Sequence, residues 1–210
     1  PLITFCEPLP EHQDLSITQR SKIKACQGVE LVSSGEVRVV CEDGTEVPHE
    51  GQTLGEITVR GNVVMAGYYN DPEATDAAIK NNWFYTGDAA VVNTDGFVEI
   101  RDRFKDVIIS GGENISSVEL EGCLLTHPSV QEVAVVGMPH EKWGESPHAF
   151  VVKKANAKVT SDEIKLHIRE RLAHFKVPQW VTFVDELPKT ATGKVQKYVL
   201  RDGKTGISHQ

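Results

Sequence analysis

Apolar residues change their spacing partway along this 210-residue chain. In the first half they mostly alternate with polar ones. Val37, Val39 and Cys41 fall at every second position, and Glu42-Asp43-Gly44-Thr45 follows. This predicts a strand and a hairpin turn within a β-rich stretch over 35–60. Residues 56–60 read as another short strand, and 89–92 with 97–100 read as a hairpin around Asn93-Thr94-Asp95-Gly96. Helices are few here. Residues 16–26 form one candidate, stopped near Gly28. Asp71-Pro72-Glu73 starts a second, with Asp as cap, Pro in the first turn and an acid at the positive end of the helix dipole. That helix is expected to run to about Lys80.

After Arg103 the period lengthens. Residues 107–109 read as a short strand ending at Gly111-Gly112. Ser116 and Glu119 make a capping-box pair, and Val118, Leu120, Leu124 and Leu125 follow at near-helical spacing until Pro128. Residues 130–137 and 149–152 read as strands. Thr160 with Glu163 makes a second capping box ahead of an Ile164, Ile168, Leu172 stripe, and 181–184 is a last strand. The fold class is therefore α+β. A mostly β portion over 1–103 precedes a domain over 104–210 with a small mixed sheet and flanking helices. There is no internal repeat or low-complexity linker.

Composition narrows the function classes. Hydrophobic residues make up 40% and charged residues 25%, the balance of a soluble globular protein. The longest apolar run, 133–138, is far short of the roughly 18 residues of a membrane span and suits a buried strand. Net charge is −8 but uneven. Residues 1–103 carry 8 basic and 17 acidic side chains, whereas 104–210 carry 14 and 13. The asymmetry predicts two units with different partners, the second better able to approach a polyphosphate. A duplex nucleic-acid binder would be more basic. The four cysteines show no CxxC pairing and the eight histidines are scattered, so reduced thiols and no metal site are expected. The chain begins at Pro1 with no leader pattern, which reads as a processed chain or a fragment. It ends in Ser208-His209-Gln210 rather than Ser-Lys-Leu, so an intracellular location is expected with the compartment open.

Several segments could carry chemistry, and each has a plainer alternative. Asp88, in Tyr85-Thr86-Gly87-Asp88, could accept both hydroxyls of a ribose, or belong to an ordinary turn. Asp102-Arg103-Phe104-Lys105-Asp106 could be a polar hinge with Arg103 contacting phosphate, or a solvated turn. Ser110-Gly111-Gly112-Glu113 exposes backbone for close ligand approach, or is simply a tight turn. Trp143, beside Gly144, could stack on a ring, although covering the core is the favoured reading. Thr190-Ala191-Thr192-Gly193-Lys194 projects one ammonium suited to charge developing on a phosphate or carboxylate oxygen, or is a flexible tail.

Taken in order, four segments resemble the C-terminal signature set of the AMP-dependent synthetase and ligase family. They are Gly67-Tyr68-Tyr69-Asn70-Asp71-Pro72-Glu73-Ala74-Thr75 and residues 85–88, 102–121 and 188–197. The Ser-Gly-Gly-Glu-Asn-Ile stretch looks most like medium-chain, aryl and plant acyl-activating enzymes, and Ser116-Ser117, where many members have proline, resembles the plant group. The resemblance implies an acyl-CoA synthetase using ATP and CoA. A small-molecule carboxylate attacks the ATP α-phosphate to give acyl-AMP and pyrophosphate, then the CoA thiol displaces AMP. It further implies that Asp88 and Arg103 bind the nucleotide and that Lys105 is the hinge of a mobile C-terminal lid. Gly111 and Gly112 would line the pantetheine path, with Trp143 touching CoA, and Lys194 would bridge carboxylate and α-phosphate as the catalytic residue. The family's phosphate loop, acyl pocket and Mg2+-binding acid are absent from these 210 residues, so the chain alone is expected to be inactive. A non-catalytic truncated product acting as a nucleotide- or CoA-binding or interaction fragment is the alternative. An adenylation domain loading a carrier protein is a third reading, with no carrier before Gln210.

Overall fold

The computed structural model describes residues 3–203. Pro1 and Ser208-His209-Gln210, on which the readings of processing and targeting rest, lie outside the described residues. The chain divides into two compact units, Pro1–Lys105 and Asp106–Gln210. The division falls inside a short 3-10 turn over Phe104–Asp106, two residues beyond the change in charge.

The first unit opens with β1 (Thr4–Phe5), α1 (Ile17–Lys24) and β2 (Val29–Glu30), with β1 and β2 paired antiparallel. Ser16 caps α1, its hydroxyl accepting from Gln19 N at 3.3 Å. Then come β3 (Glu36–Val40), β4 (Gly55–Arg60), α2 (Pro72–Ala78), β5 (Ile79–Lys80), β6 (Trp83–Val92) and β7 (Val98–Arg103). The sheet order is β3-β4-β6-β5, with β7 on β6. Its core is Val39, Val47, Ile57, Val59, Ala90, Val92 and Val98. Val32, Ile17 and Tyr69 stand exposed.

Two sequence expectations need correction here. The helix starting at Asp71 stops at Ala78, because Ile79 and Lys80 pair with Phe84 and Trp83 around Asn81-Asn82. Both Asn residues have positive φ, 50° and 65°, which Asn tolerates in a two-residue hairpin turn. Asp88 is not in a turn before a strand. It lies inside β6, in a bulge where Thr86, Gly87 and Asp88 stand opposite Ile57 alone. The bulge requires φ +74° at Gly87.

The second unit contains β8 (Ile108–Ser110), β9 (Glu113–Ile115), α3 (Ser117–Leu125), β10 (Val130–His140), β11 (Gly144–Lys153), α4 (Ser161–Arg169), β12 (Trp180–Phe183) and α5 (Lys197–Arg201). The sheet order is β10-β11-β8-β9, with β12 parallel to β11, so the sheet is mixed as expected. The β10–β11 hairpin is longer than the apolar runs predicted, because residues 138–140 and 144–148 stay paired through His140↔Gly144.

Successive hairpin residues enter different cores. Val133, Val135, Ala149 and Val151 pack with Leu120, Leu124, Ile164 and Ile168 of α3 and α4. Ala134, Val136, Phe150 and Val152 pack with Leu187 and with Leu200 of α5. Burial on both faces explains why the sequence reads as a continuous apolar run. Ile164 and Ile168 are fully buried, each contributing about 1.5–3 kcal/mol of transfer free energy. The capping box at α4 is complete: Thr160 N donates to Glu163 Oε2 at 2.7 Å and Glu163 N to Thr160 Oγ1 at 3.3 Å. At α3, Ser116 Oγ accepts from Glu119 N at 3.1 Å, while the Glu119 carboxylate reaches Lys176.

None of the four cysteines is in a disulfide. Burial pushes the Cys26 thiol up to about 11. His167 of α4 joins α3 through Nε2, 2.9 Å from Thr126 Oγ1 and 3.1 Å from Cys123 O. Burial holds its pKa below the ordinary 6.5. As pH falls below 6.5 the unfolded chain takes up a proton that folded His167 resists. The stability from neutral His167 is therefore present above pH 6.5 and lost as pH falls through the folded value. Urea unfolding from pH 7 to 5 is expected to show a shallower loss of stability in His167→Gln than in the parent chain; equal slopes would assign the loss elsewhere.

Candidate nucleotide and thiol-carrier sites

In the first unit the β6 bulge brings Asp88 opposite Arg103 of β7. Arg103 Nε lies 2.7 Å from Asp88 Oδ1, with the Asp88 side chain 23% exposed and that of Arg103 57%. The bulge is stitched by Gly87 N donating to Glu56 Oε1 at 2.8 Å and Thr86 Oγ1 to Ile57 O at 2.9 Å. A second register shift, between Ala89 and Ala90, twists β7 at the same place. Asp88 Oδ2 has no partner among the described residues and remains an acceptor for hydroxyls. The Arg103 terminal nitrogens likewise remain as a donor fork. Asp102, read as part of a solvated turn, is instead only 4% exposed, and its Oδ1 accepts from Arg103 N at 2.8 Å. Lys105, the last residue of the unit, is exposed.

In the second unit Gly111 and Gly112 form the two-residue turn between β8 and β9, with φ +61° and +88°. Strand β9, which the sequence pattern does not predict, separates the glycines from α3. Gly111 N donates to Trp143 O at 2.9 Å. A Cβ on Gly111 would sit 2.9 Å from Trp143 Cε3, so glycine here makes room for the indole. A Cβ on Gly112 would meet nothing within 4 Å. Trp143 does not cover the core. It is 44% exposed at the tip of the β10–β11 hairpin, with Lys142 Nζ 4.4 Å above its ring. Glu145 Oε2 fixes the neighbouring strand by accepting from Ile109 N at 3.1 Å.

Beside this turn lies a groove of about 420 Å³ whose lining includes Gly111, Trp143, Lys165, Arg169, His174 and Phe175. Lys165 and Arg169 share one face of α4, and Arg169 has no ion-pair partner among the described residues. The sequence reading missed these groove residues because they meet Gly111 only through the tertiary fold.

Lys194 lies on an ordered turn, not a flexible tail. Thr190 N donates to Lys194 O at 2.8 Å, Gly193 N to Thr190 O at 2.9 Å, and Lys194 N to Thr190 Oγ1 at 3.2 Å. Lys189 Nζ anchors the turn to Glu132 Oε2 at 2.7 Å. The Lys194 ammonium itself is exposed and has no partner among the described residues. Glu132 is near the start of β10, whereas Trp143 follows its far end. The lysine turn and the glycine turn therefore sit at opposite ends of one hairpin. Among the described residues no group of three or more His, Cys, Asp or Glu side chains is placed to hold a metal ion. No helix of the described residues is long and apolar enough to cross a membrane.

Residues 119–194 match the AMP-binding enzyme C-terminal domain. The chain is 50% identical over 204 residues to the probable acyl-activating enzyme 6 of Arabidopsis thaliana, covering 96% of this chain and 37% of that protein. It is 48% identical over 198 residues to the peroxisomal trans-cinnamate:CoA ligase of Petunia hybrida, covering 94% and 35%. Among solved structures, the o-succinylbenzoate CoA synthetase of Bacillus subtilis in complex with its acyl-adenylate superposes with a TM-score of 0.78 at 36% identity, over 92% of this chain and 38% of that one. The chain thus spans less than two fifths of the length of these relatives. It belongs to the AMP-dependent synthetase and ligase family and carries that family's C-terminal domain.

Proposed function

We propose that this chain is the nucleotide-binding edge and mobile lid of an AMP-forming acyl-CoA synthetase. The observation that carries the reading is the placement of the lysine turn and the glycine turn at opposite ends of the β10–β11 hairpin. One rigid element cannot present both ends to one small reacting centre at the same time. Two successive presentations suit a two-step reaction.

In the first step a carboxylate oxygen attacks the α-phosphorus of ATP and pyrophosphate leaves. Negative charge gathers on the α-phosphoryl oxygens. The unpartnered Lys194 ammonium stabilises that charge electrostatically. Asp88 Oδ2 accepts the ribose hydroxyls, and the free end of Arg103 donates to ribose or phosphate oxygens. In the second step the CoA thiol attacks the acyl carbon and AMP leaves. Pantetheine passes along Gly112, where open space lies over the backbone. Arg169 and Lys165 supply positive charge for the CoA phosphates in the groove beside Trp143. Lys105 serves as the hinge, a role supported by the unit boundary immediately after it. The acyl pocket and phosphate loop come from the remainder of the family's large domain, so these 210 residues alone release no pyrophosphate.

The test joins this chain to the N-terminal portion of the petunia ligase and assays each step separately. Lys194→Ala is expected to lower cinnamate-dependent ATP–pyrophosphate exchange by about 100-fold or more while sparing thioester formation from supplied cinnamoyl-AMP. Equal loss of both steps would contradict the role. Gly112→Ala is expected to show the reverse pattern, slowing thioester formation and leaving exchange within about 3-fold, since the added methyl faces the thiol path and not the nucleotide. Loss of exchange in that variant would remove Gly112 from the thiol path.

A further inference from the structure

We infer that Lys197 is a positioning residue for Lys194, acting through a half-buried ion pair with Glu121 at the open edge of the sheet. The inference rests on the proposed role of Lys194 and extends it to a residue with no assigned task. Lys197 is the first residue of α5, three positions after Lys194. Its Nζ lies 2.8 Å from Glu121 Oε1 and 2.6 Å from Ser117 Oγ, both on α3. The two charged side chains are only 15% and 18% exposed. Glu121 Oε1 also accepts from Val135 N at 2.8 Å. Among the described residues strand β10 pairs with β11 alone, so Val135 N faces outward at a sheet edge. One carboxylate therefore satisfies an edge amide and fixes the start of α5 together.

The geometry of the lysine turn follows from this anchor. A five-residue helix has no stability of its own. It is held here by Lys197, by buried Leu200, and by an ion pair from Arg201 to Asp106. Just before it, Gln196 N donates to Pro188 O at 2.8 Å and Val195 packs against the Ala134–Val136 core. The turn that carries Lys194 is thus clamped on both sides, by Lys189–Glu132 on the N-terminal side and Lys197–Glu121 on the C-terminal side. Both clamps end on β10, directly or through α3. A charge pair buried this far is costly to break from one side, because the other charge is then stranded. An isolated surface lysine would carry no such constraint. Releasing the C-terminal clamp would leave the Lys194 ammonium present but no longer fixed relative to β10.

The test uses three variants: Lys197→Arg, Lys197→Met, and Lys197→Met with Glu121→Gln, the last removing both charges so that none is stranded. In the 210-residue chain, amide exchange at Thr190 and Gly193 is expected to rise about 10-fold in the double variant, with the α4 amides unchanged. In the fusion with the petunia N-terminal portion, the first-step kcat is expected to fall about 10- to 100-fold with the ATP KM within about 2-fold and thioester formation unchanged. Lys197→Arg should restore the first step. Unchanged exchange at Thr190 and Gly193 overturns the inference whatever the kinetics show. Equal loss of both steps, or loss matched by faster exchange throughout the unit, also overturns it and makes the pair purely structural. Lys194→Ala, run alongside, reports separately on the role of Lys194 itself: if that variant keeps the first step, the underlying reading fails even where the clamp is real.

Discussion

The β10–β11 hairpin is covered on both faces, and the second unit is organised around it. Alternate side chains along Val133, Ala134, Val135 and Val136 enter two different cores, one closed by α3 and α4 and the other by α5 and Leu187. A one-residue slip would send each core's residues into the other, exchanging Val133 and Val135 for Ala134 and Val136. The ten paired strand positions are therefore locked in register. Everything attached to the two ends of the hairpin inherits that rigidity.

What is attached there gives the unit its chemical character. Near Glu132 the hairpin holds the turn bearing Lys194, and past His140 it holds Trp143 against Gly111. Eight residue steps separate Glu132 from His140, roughly 26 Å at the usual strand rise. Few small ligands span that distance at one reacting centre. The proposed alternation between two half-reactions follows from this length more directly than from any single residue. In the first unit, the bulge at Gly87 does comparable work on a smaller scale, turning Asp88 toward Arg103 where a regular strand would have carried it past.

Much of this was legible in the sequence wherever the cause is local. The caps at Asp71 and Thr160 and the Ile164–Ile168 stripe depend on neighbours within four positions, and the chain forms them where expected. The ends of strands were not legible. Residues 138–140 look like a loop because Pro139 and Gly144 interrupt the apolar run, yet pairing across the hairpin continues through them. Trp143 was misread for a related reason: its partner, Gly111, lies 32 residues away. Helix α5 carries little apolar signal and exists through Lys197, Leu200 and Arg201, whose partners are up to 95 residues distant. Of the candidate site residues, Asp88, Arg103, Gly111, Gly112 and Lys194 lie on short motifs that the sequence displays. The groove lysine and arginine of α4 do not, because nothing in their local pattern separates them from a solvated helix face.

The central claim is that the two ends of the hairpin serve different ligand parts. Backbone amide shifts of the isotopically labelled 210-residue chain, recorded during titration with CoA, test it most directly. The account predicts shifts at Gly111, Gly112 and Trp143, with residues 190–194 unmoved. Shifts of similar size at the lysine turn, or none at the glycine turn, would contradict it.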